Sequence, residues 1–145
     1  MANCTHVTFN ADSPNDAQWD ESGVLLVPSG EGITSVIRAS LVDNNIQCSN
    51  ILQRSFYGWE FDFCIDSMNF FCVLQAYESG QWLLICELRN CGWRDIFFSK
   101  RGDTMSTGLN LIHQVLSLDS RFSNIRWHCR EQFEKGGSIG SKTPT

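Results

Sequence analysis

The chain has 145 residues, of which 42% are hydrophobic and 19% charged, and this size and balance predict one compact domain. Its net charge is −5, with nine acids and two bases in residues 1–66 against seven acids and nine bases in residues 67–145. An acidic first half disfavours nucleic acid as a partner, and no apolar run approaches the roughly 18 residues of a membrane span.

Cysteine usage indicates the compartment. The chain has seven cysteines, an odd number, and several lie in apolar stretches where a thiol behaves as a small hydrophobe. Residues 1–21 are polar and lack the apolar core of a secretory signal. We therefore expect a cytoplasmic protein with free thiols that does not associate with a membrane.

The first predicted elements are two strands and a helix. His6–Phe9 alternates weakly, which predicts a short edge strand, and the apolar run Val24–Val27 predicts a buried one. Ser29 offers a cap for a helix over residues 30–42. The apolar positions of this helix repeat at helical spacing and should face a sheet: Ile33, Val36, Ile37 and Leu41.

The stretch from Tyr57 to Leu88 predicts three consecutive antiparallel strands, around which the rest of the chain is organised. On the first strand Trp59, Phe61, Phe63 and Ile65 share one face, and Glu60, Asp62 and Cys64 share the other. The second and third strands are apolar on both sides. Such strands are either central and covered twice, or they leave an apolar surface exposed.

The last elements are a helix, a strand and a helical turn. Thr104–Leu118 has an apolar stripe at helical spacing, although Gly108 lowers its helix propensity by about 1 kcal/mol relative to Ala. Ser123–His128 predicts a last strand and Cys129–Lys135 a terminal helical turn. Residues 138–145 are almost free of apolar side chains and predict a flexible tail.

This order of elements predicts the fold class. Helices flanking a block of consecutive antiparallel strands indicate an α+β two-layer sandwich, in which a meander sheet carries two main helices on one face. Residues 1–137 would form this single domain.

An acidic, partly apolar face of the sheet is the first candidate site. Alternation places Glu60, Asp62 and Glu87 on one face, beside Leu74 and Leu83. An acidic rim around an apolar centre is typical of a docking surface for a basic protein or for an identical subunit, as in a homodimer. We therefore expect a non-enzymatic protein that acts by binding.

An aromatic pocket between the sheet and the helices is the alternative. Aromatic rings with one carboxylate would hold a flat or cationic small molecule. The residues proposed to line it are Trp59, Phe61, Tyr77, Trp82 and Trp93.

Catalytic and metal-binding signatures are missing from the sequence. Cys129 and His113 could form a nucleophile and base, but no spacing supports the pair. Cys86 and Cys91 lack the close spacing of zinc ligands. The segment at 29–32, Ser-Gly-Glu-Gly, lacks the lysine of a phosphate-binding loop and is interpreted as a helix cap. We expect neither a cofactor nor a metal ion.

In its small size, free cysteines and polar tail, the chain resembles the uncharacterised orphan proteins encoded by mobile bacterial gene cassettes of the integron type. The resemblance covers no defined motif. It implies no site residue, activity or ligand.

Overall fold

The computed structural model describes residues 4–78, 80–89 and 100–144. Their helices and strands follow the hydrophobic periodicity of the sequence, and the predicted α+β class is confirmed. The elements in chain order are β1 (His6–Ala11), β2 (Gln18–Trp19), β3 (Leu25–Val27), α1 (Glu31–Asp43), β4 (Gln47–Cys48), β5 (Leu52–Arg54), β6 (Gly58–Ile65), β7 (Met68–Ala76), β8 (Gln81–Leu88), α2 (Lys100–Leu118), β9 (Phe122–His128) and α3 (Arg130–Lys135).

A seven-stranded antiparallel sheet dominates the described residues, in the order β4-β6-β7-β8-β1-β9, with β5 paired to β6 beside β4. The predicted meander β6-β7-β8 forms its centre. The prediction that His6–Phe9 is an edge strand was wrong, because β1 pairs with both β8 and β9. Val7 and Phe9 are fully buried, as side chains of an interior strand should be.

Both main helices pack on one face of the sheet, which we call the inner face. The predicted stripe of α1 is buried there through Ile33, Ile37 and Leu41. A single core contains these side chains, those of α2 and those of the strands: Leu109, Ile112, Leu116, Phe61, Phe63, Phe70 and Leu84. The opposite side of the sheet is the outer face.

A glycine sets how closely α2 approaches the inner face. A Cβ atom on Gly108 would overlap the ring of Phe70. That ring is itself stacked on Phe63, with centroids 4.6 Å apart and planes 3° from parallel. Gly108 is therefore explained by close packing, a role that the helical periodicity did not reveal.

The segment before α1 forms a separate two-stranded sheet, β2-β3. The strand predicted at Val24–Val27 is present as β3, but the prediction that it is buried was wrong, since Val24 and Leu26 are exposed. This segment instead contributes a side chain that binds the N-terminus of α1. The Asp16 carboxylate accepts hydrogen bonds from the Gly30 and Gly32 backbone N–H groups at 2.7 and 2.8 Å. A negative charge there interacts favourably with the helix dipole, so the α1 N-terminus is already occupied.

The outer face is partly covered by α3 and the C-terminal residues. Phe133 of α3 packs against the rings of His6, Tyr77 and His128, at centroid distances of 5.2 to 5.3 Å. Beyond α3, the backbone of Ser141 exchanges two hydrogen bonds with Trp127, and the Pro144 carbonyl accepts one from Cys4. The segment predicted to be a flexible tail thus lies along β9, and its mobility stays a prediction.

Candidate functional site

The three predicted carboxylates lie on the outer face. Cross-strand partners share a face of a sheet, and Asp62, Phe71 and Glu87 are successive partners across β6, β7 and β8. Glu60 is two residues from Asp62 on the same strand. The alternation of side chains therefore places all three together.

Each of these carboxylates has an arginine beside it, so the surface is charge-paired and not acidic. Arg54 Nη1 lies 2.9 Å from Glu60 Oε2. Arg89 makes two bonds to Asp62, at 2.5 and 2.9 Å. Arg130 approaches Glu87 more loosely, at 3.8 Å. The alternation of the strands does not reveal these pairs, because the arginines come from other elements: β5, the residue after β8, and α3.

Phe71 is the centre of this arrangement. The Arg54 and Arg89 guanidinium groups lie 5.1 and 4.5 Å from its ring centroid, within the range of cation–π contacts. The Tyr57 hydroxyl also accepts a bond of 2.6 Å from Arg54 Nε. One aromatic ring thus contacts two arginines, each of which is paired with a carboxylate. We call Arg54, Glu60, Asp62, Phe71 and Arg89 the Phe71 cluster.

The apolar residues predicted for the docking surface do not contribute to it. Leu74 was wrongly placed: it is the cross-strand partner of Trp59, points to the inner face and is 1% exposed. Leu83 does lie on the outer face but is only 3% exposed. The register between the strands determines the face on which Leu74 lies, and the sequence alone does not reveal that register. An exposed apolar side chain does lie near the cluster at Leu52, which is opposite Glu60 and 59% exposed.

The predicted aromatic pocket is not assembled in the structure. Trp59 and Phe61 are buried, and the Trp59 Nε1–H donates to the Pro28 carbonyl at 3.0 Å. Trp82 is half-buried on the inner face against Gly30. Tyr77 is on the opposite, outer face, where it meets Phe133 of α3. The fifth member of the set, Trp93, lies outside the described residues.

A cavity of about 370 Å³ opens on the outer face between the sheet, α3 and the C-terminal residues. Its volume falls within the range of small-molecule sites. The strands supply Thr8, Asn124, Arg126 and His128, and the other side is lined by Tyr77, Glu78, Gln81, Phe133, Gly137, Ser138 and Ile139. Nothing in the local sequence indicated it, because its walls come from four separate parts of the chain.

His128 connects two hydroxyl groups that line this cavity. Its Nε2 lies 2.9 Å from Thr8 Oγ1, and its Nδ1 lies 2.8 Å from Ser138 Oγ. Burial lowers the pKa of His128, and the neighbouring His6 lowers it further. The imidazole is therefore neutral at pH 7, with one nitrogen donating and the other accepting.

The cysteines are arranged in ways that disfavour nucleophilic chemistry. The Sγ atoms of Cys4 and Cys129 are 2.8 Å apart, and burial together with this contact raises the pKa of Cys4 to about 11. Cys72 faces Cys86 in the core, where burial raises the pKa of Cys72. A thiol with a raised pKa is protonated at neutral pH and reacts poorly.

His113, once considered as a base for Cys129, faces elsewhere. Its Nδ1 accepts a hydrogen bond of 3.0 Å from the Trp127 indole N–H. The Cys129 thiol is occupied by Cys4. Among the residues that the structure describes, no group of three or more His, Cys, Asp or Glu side chains is arranged to hold a metal ion.

No protein-family model, curated protein or solved structure matches the chain. The resemblance to gene-cassette proteins therefore stays a prediction. Within the described ranges, every helix falls short of the length or the apolar character that crossing a bilayer requires.

Proposed function

We propose that this is a non-enzymatic interaction protein of the cytoplasm, and that its outer face around the Phe71 cluster binds a second copy of the same chain. The described cysteines are all free, which supports a reducing compartment. The raised pKa values of Cys4 and Cys72 support a binding role over nucleophilic catalysis.

The composition of the Phe71 cluster supports a docking role. Aromatic residues and arginine are enriched at protein interfaces and among the residues that contribute most to binding. In this cluster both arginines are already fixed by carboxylates and by the ring. Because the side chains are ordered before binding, less conformational entropy is lost on association.

The charges of the cluster favour an identical subunit over a basic protein. A basic partner would be attracted to unpaired carboxylates, whereas here Glu60 and Asp62 are neutralised by Arg54 and Arg89. A patch that carries both signs can complement a copy of itself about a twofold axis, the commonest symmetry of oligomers. This charge balance is the observation on which the proposal rests.

Exposed apolar side chains at the edge of the cluster would contribute the buried area. Leu52 on β5, and Phe56 and Tyr57 in the turn that follows, are all exposed. A stable dimer buries roughly 1,200–2,000 Å² in total, so the contact would extend from the cluster over this edge.

Sedimentation velocity over a range of protein concentrations tests the proposal, with a matched pair of variants. Leu52→Lys places a charge at the edge of the cluster, whereas Leu118→Lys makes the same change at the end of α2, where the leucine is 78% exposed. We expect Leu52→Lys to weaken the dimer about tenfold or more and Leu118→Lys to leave it unchanged. A monomeric wild-type protein at high concentration, or equal effects of the two variants, would refute the proposal.

A further inference from the structure

Arg126 differs from the other arginines whose side chains are described. Each of the others has a carboxylate or a backbone carbonyl as partner: Arg38, Arg54, Arg89, Arg121 and Arg130. No hydrogen bond, ion pair or ring contact joins the Arg126 side chain to any residue in the described part of the chain. The residue as a whole is also half-buried.

Arg126 lies at the outer-face cavity. It is the cross-strand partner of Thr8, so both side chains lie on the outer face, and both line the cavity of about 370 Å³. A guanidinium has five N–H donors in a planar fork that matches a carboxylate. The missing partner would therefore be an anion bound in the cavity.

The hydroxyl groups in the cavity provide a further donor. Neutral His128 has one N–H and one acceptor nitrogen, and it contacts Thr8 Oγ1 and Ser138 Oγ. The hydroxyl that faces the imidazole N–H must accept that bond, so its own proton is left for another group. In either tautomer of His128, one hydroxyl proton is therefore available in the cavity that Arg126 lines.

An aromatic wall completes the cavity. Tyr77 and Phe133 meet at a centroid distance of 5.3 Å with planes tilted by 41°, and both line the cavity. Glu78 lines it as well, but within the described residues no ion pair joins Glu78 to Arg126. A ligand carboxylate would be repelled from Glu78 and attracted to Arg126.

We infer that the outer-face cavity binds a small organic carboxylate with a flat, apolar body. The carboxylate pairs with the Arg126 guanidinium and accepts the free hydroxyl proton of Thr8 or Ser138, and the flat body packs against Tyr77 and Phe133. This site uses residues outside the Phe71 cluster, so it goes beyond the proposed self-association and does not depend on it.

Titration followed by two-dimensional amide NMR tests the inference, with phenylacetate as the probe and phenylacetamide as its neutral isostere. We expect phenylacetate to shift the Arg126 Nε–H signal and the backbone amides of Gly137 and Ser138, and phenylacetamide to leave them in place. This comparison uses the wild-type chain, so it does not depend on the folding of a variant. Equal shifts by the two compounds, or none by phenylacetate, would overturn the inference.

Substitution of the arginine gives an independent test. Arg126→Gln should weaken phenylacetate binding about tenfold or more, because a charge-assisted pair is lost. Arg126→Lys should retain part of the affinity, since the charge remains but the fork does not. Arg121→Gln changes an arginine that is paired with Asp119 outside the cavity, and it should bind as the wild type does. Unchanged binding by Arg126→Gln would contradict the assignment.

Discussion

Replacing Gly108 by alanine tests the packing of α2 on the inner face. Helix propensity alone favours the alanine by about 1 kcal/mol. The structure predicts instead that alanine lowers the free energy of unfolding, because the added Cβ would overlap the Phe70 ring. Even the third-nearest ring atom, Cε2, would be only 2.9 Å from it. Phe70 is fully buried and stacked on Phe63, so moving its ring aside would itself cost free energy.

The magnitude follows from these two opposing effects. Overpacking a rigid core costs about 1–3 kcal/mol, and the better helix propensity of alanine offsets about 1 kcal/mol of that cost. Gly108→Ala should therefore lower the free energy of unfolding by up to about 2 kcal/mol overall. Urea denaturation measures this change. Gly102→Ala is the matched control in the same helix, where a Cβ meets no atom within 4 Å, and it should not destabilise.

A double-mutant cycle identifies the cause. If the Phe70 ring is the obstacle, the cost of Gly108→Ala should shrink by at least about 0.5 kcal/mol in a Phe70→Leu background. A stabilising Gly108→Ala, or an unchanged cost in that background, would refute the packing of α2 that is described here.

Three further predictions concern pH, thiols and the C-terminal residues. Burial lowers the pKa of His6 and His128 below the ordinary 6.5. The part of the free energy of unfolding that depends on these neutral imidazoles is therefore fully present above pH 6.5 and is lost as the pH falls below it. Denaturant titrations measure this loss, and it should be smaller in His128→Gln. Oxidation with diamide at alkaline pH, where thiols ionise, should join Cys4 to Cys129, and peptide mapping would identify the bond. Closing a loop of this length should stabilise the fold by up to about 4–5 kcal/mol in thermal unfolding, whereas mixed or intermolecular disulfides would contradict the pairing. The backbone amide of Ser141 should exchange slowly with solvent because it is bonded to the Trp127 carbonyl, whereas fast exchange would favour the flexible tail that the sequence predicts.

The elements with strong local periodicity could be predicted from the sequence. The apolar stripe predicted α1, and the alternation of side chains predicted the meander and the shared face of Glu60 and Asp62. These patterns depend on neighbours a few residues apart along the chain.

Contacts between distant segments could not be predicted in this way. The insertion of β1 between β8 and β9 joins residues at opposite ends of the chain, and weak alternation gave no sign of it. The face of Leu74 required the register between β6 and β7. The cavity at Arg126 depends on how α3 and the last residues return to the sheet, which no local pattern encodes.

The proposed function requires that the outer face is the surface through which the protein binds its own copy. Amide NMR spectra of dilute and concentrated samples test this requirement most directly. We expect the signals that shift with concentration to belong to β5, β6 and β7, including those of Leu52, Arg54 and Phe71, and the signals from the exposed sides of α1 and α2 to stay unchanged. Spectra that do not depend on concentration, or shifts confined to the helices, would contradict it.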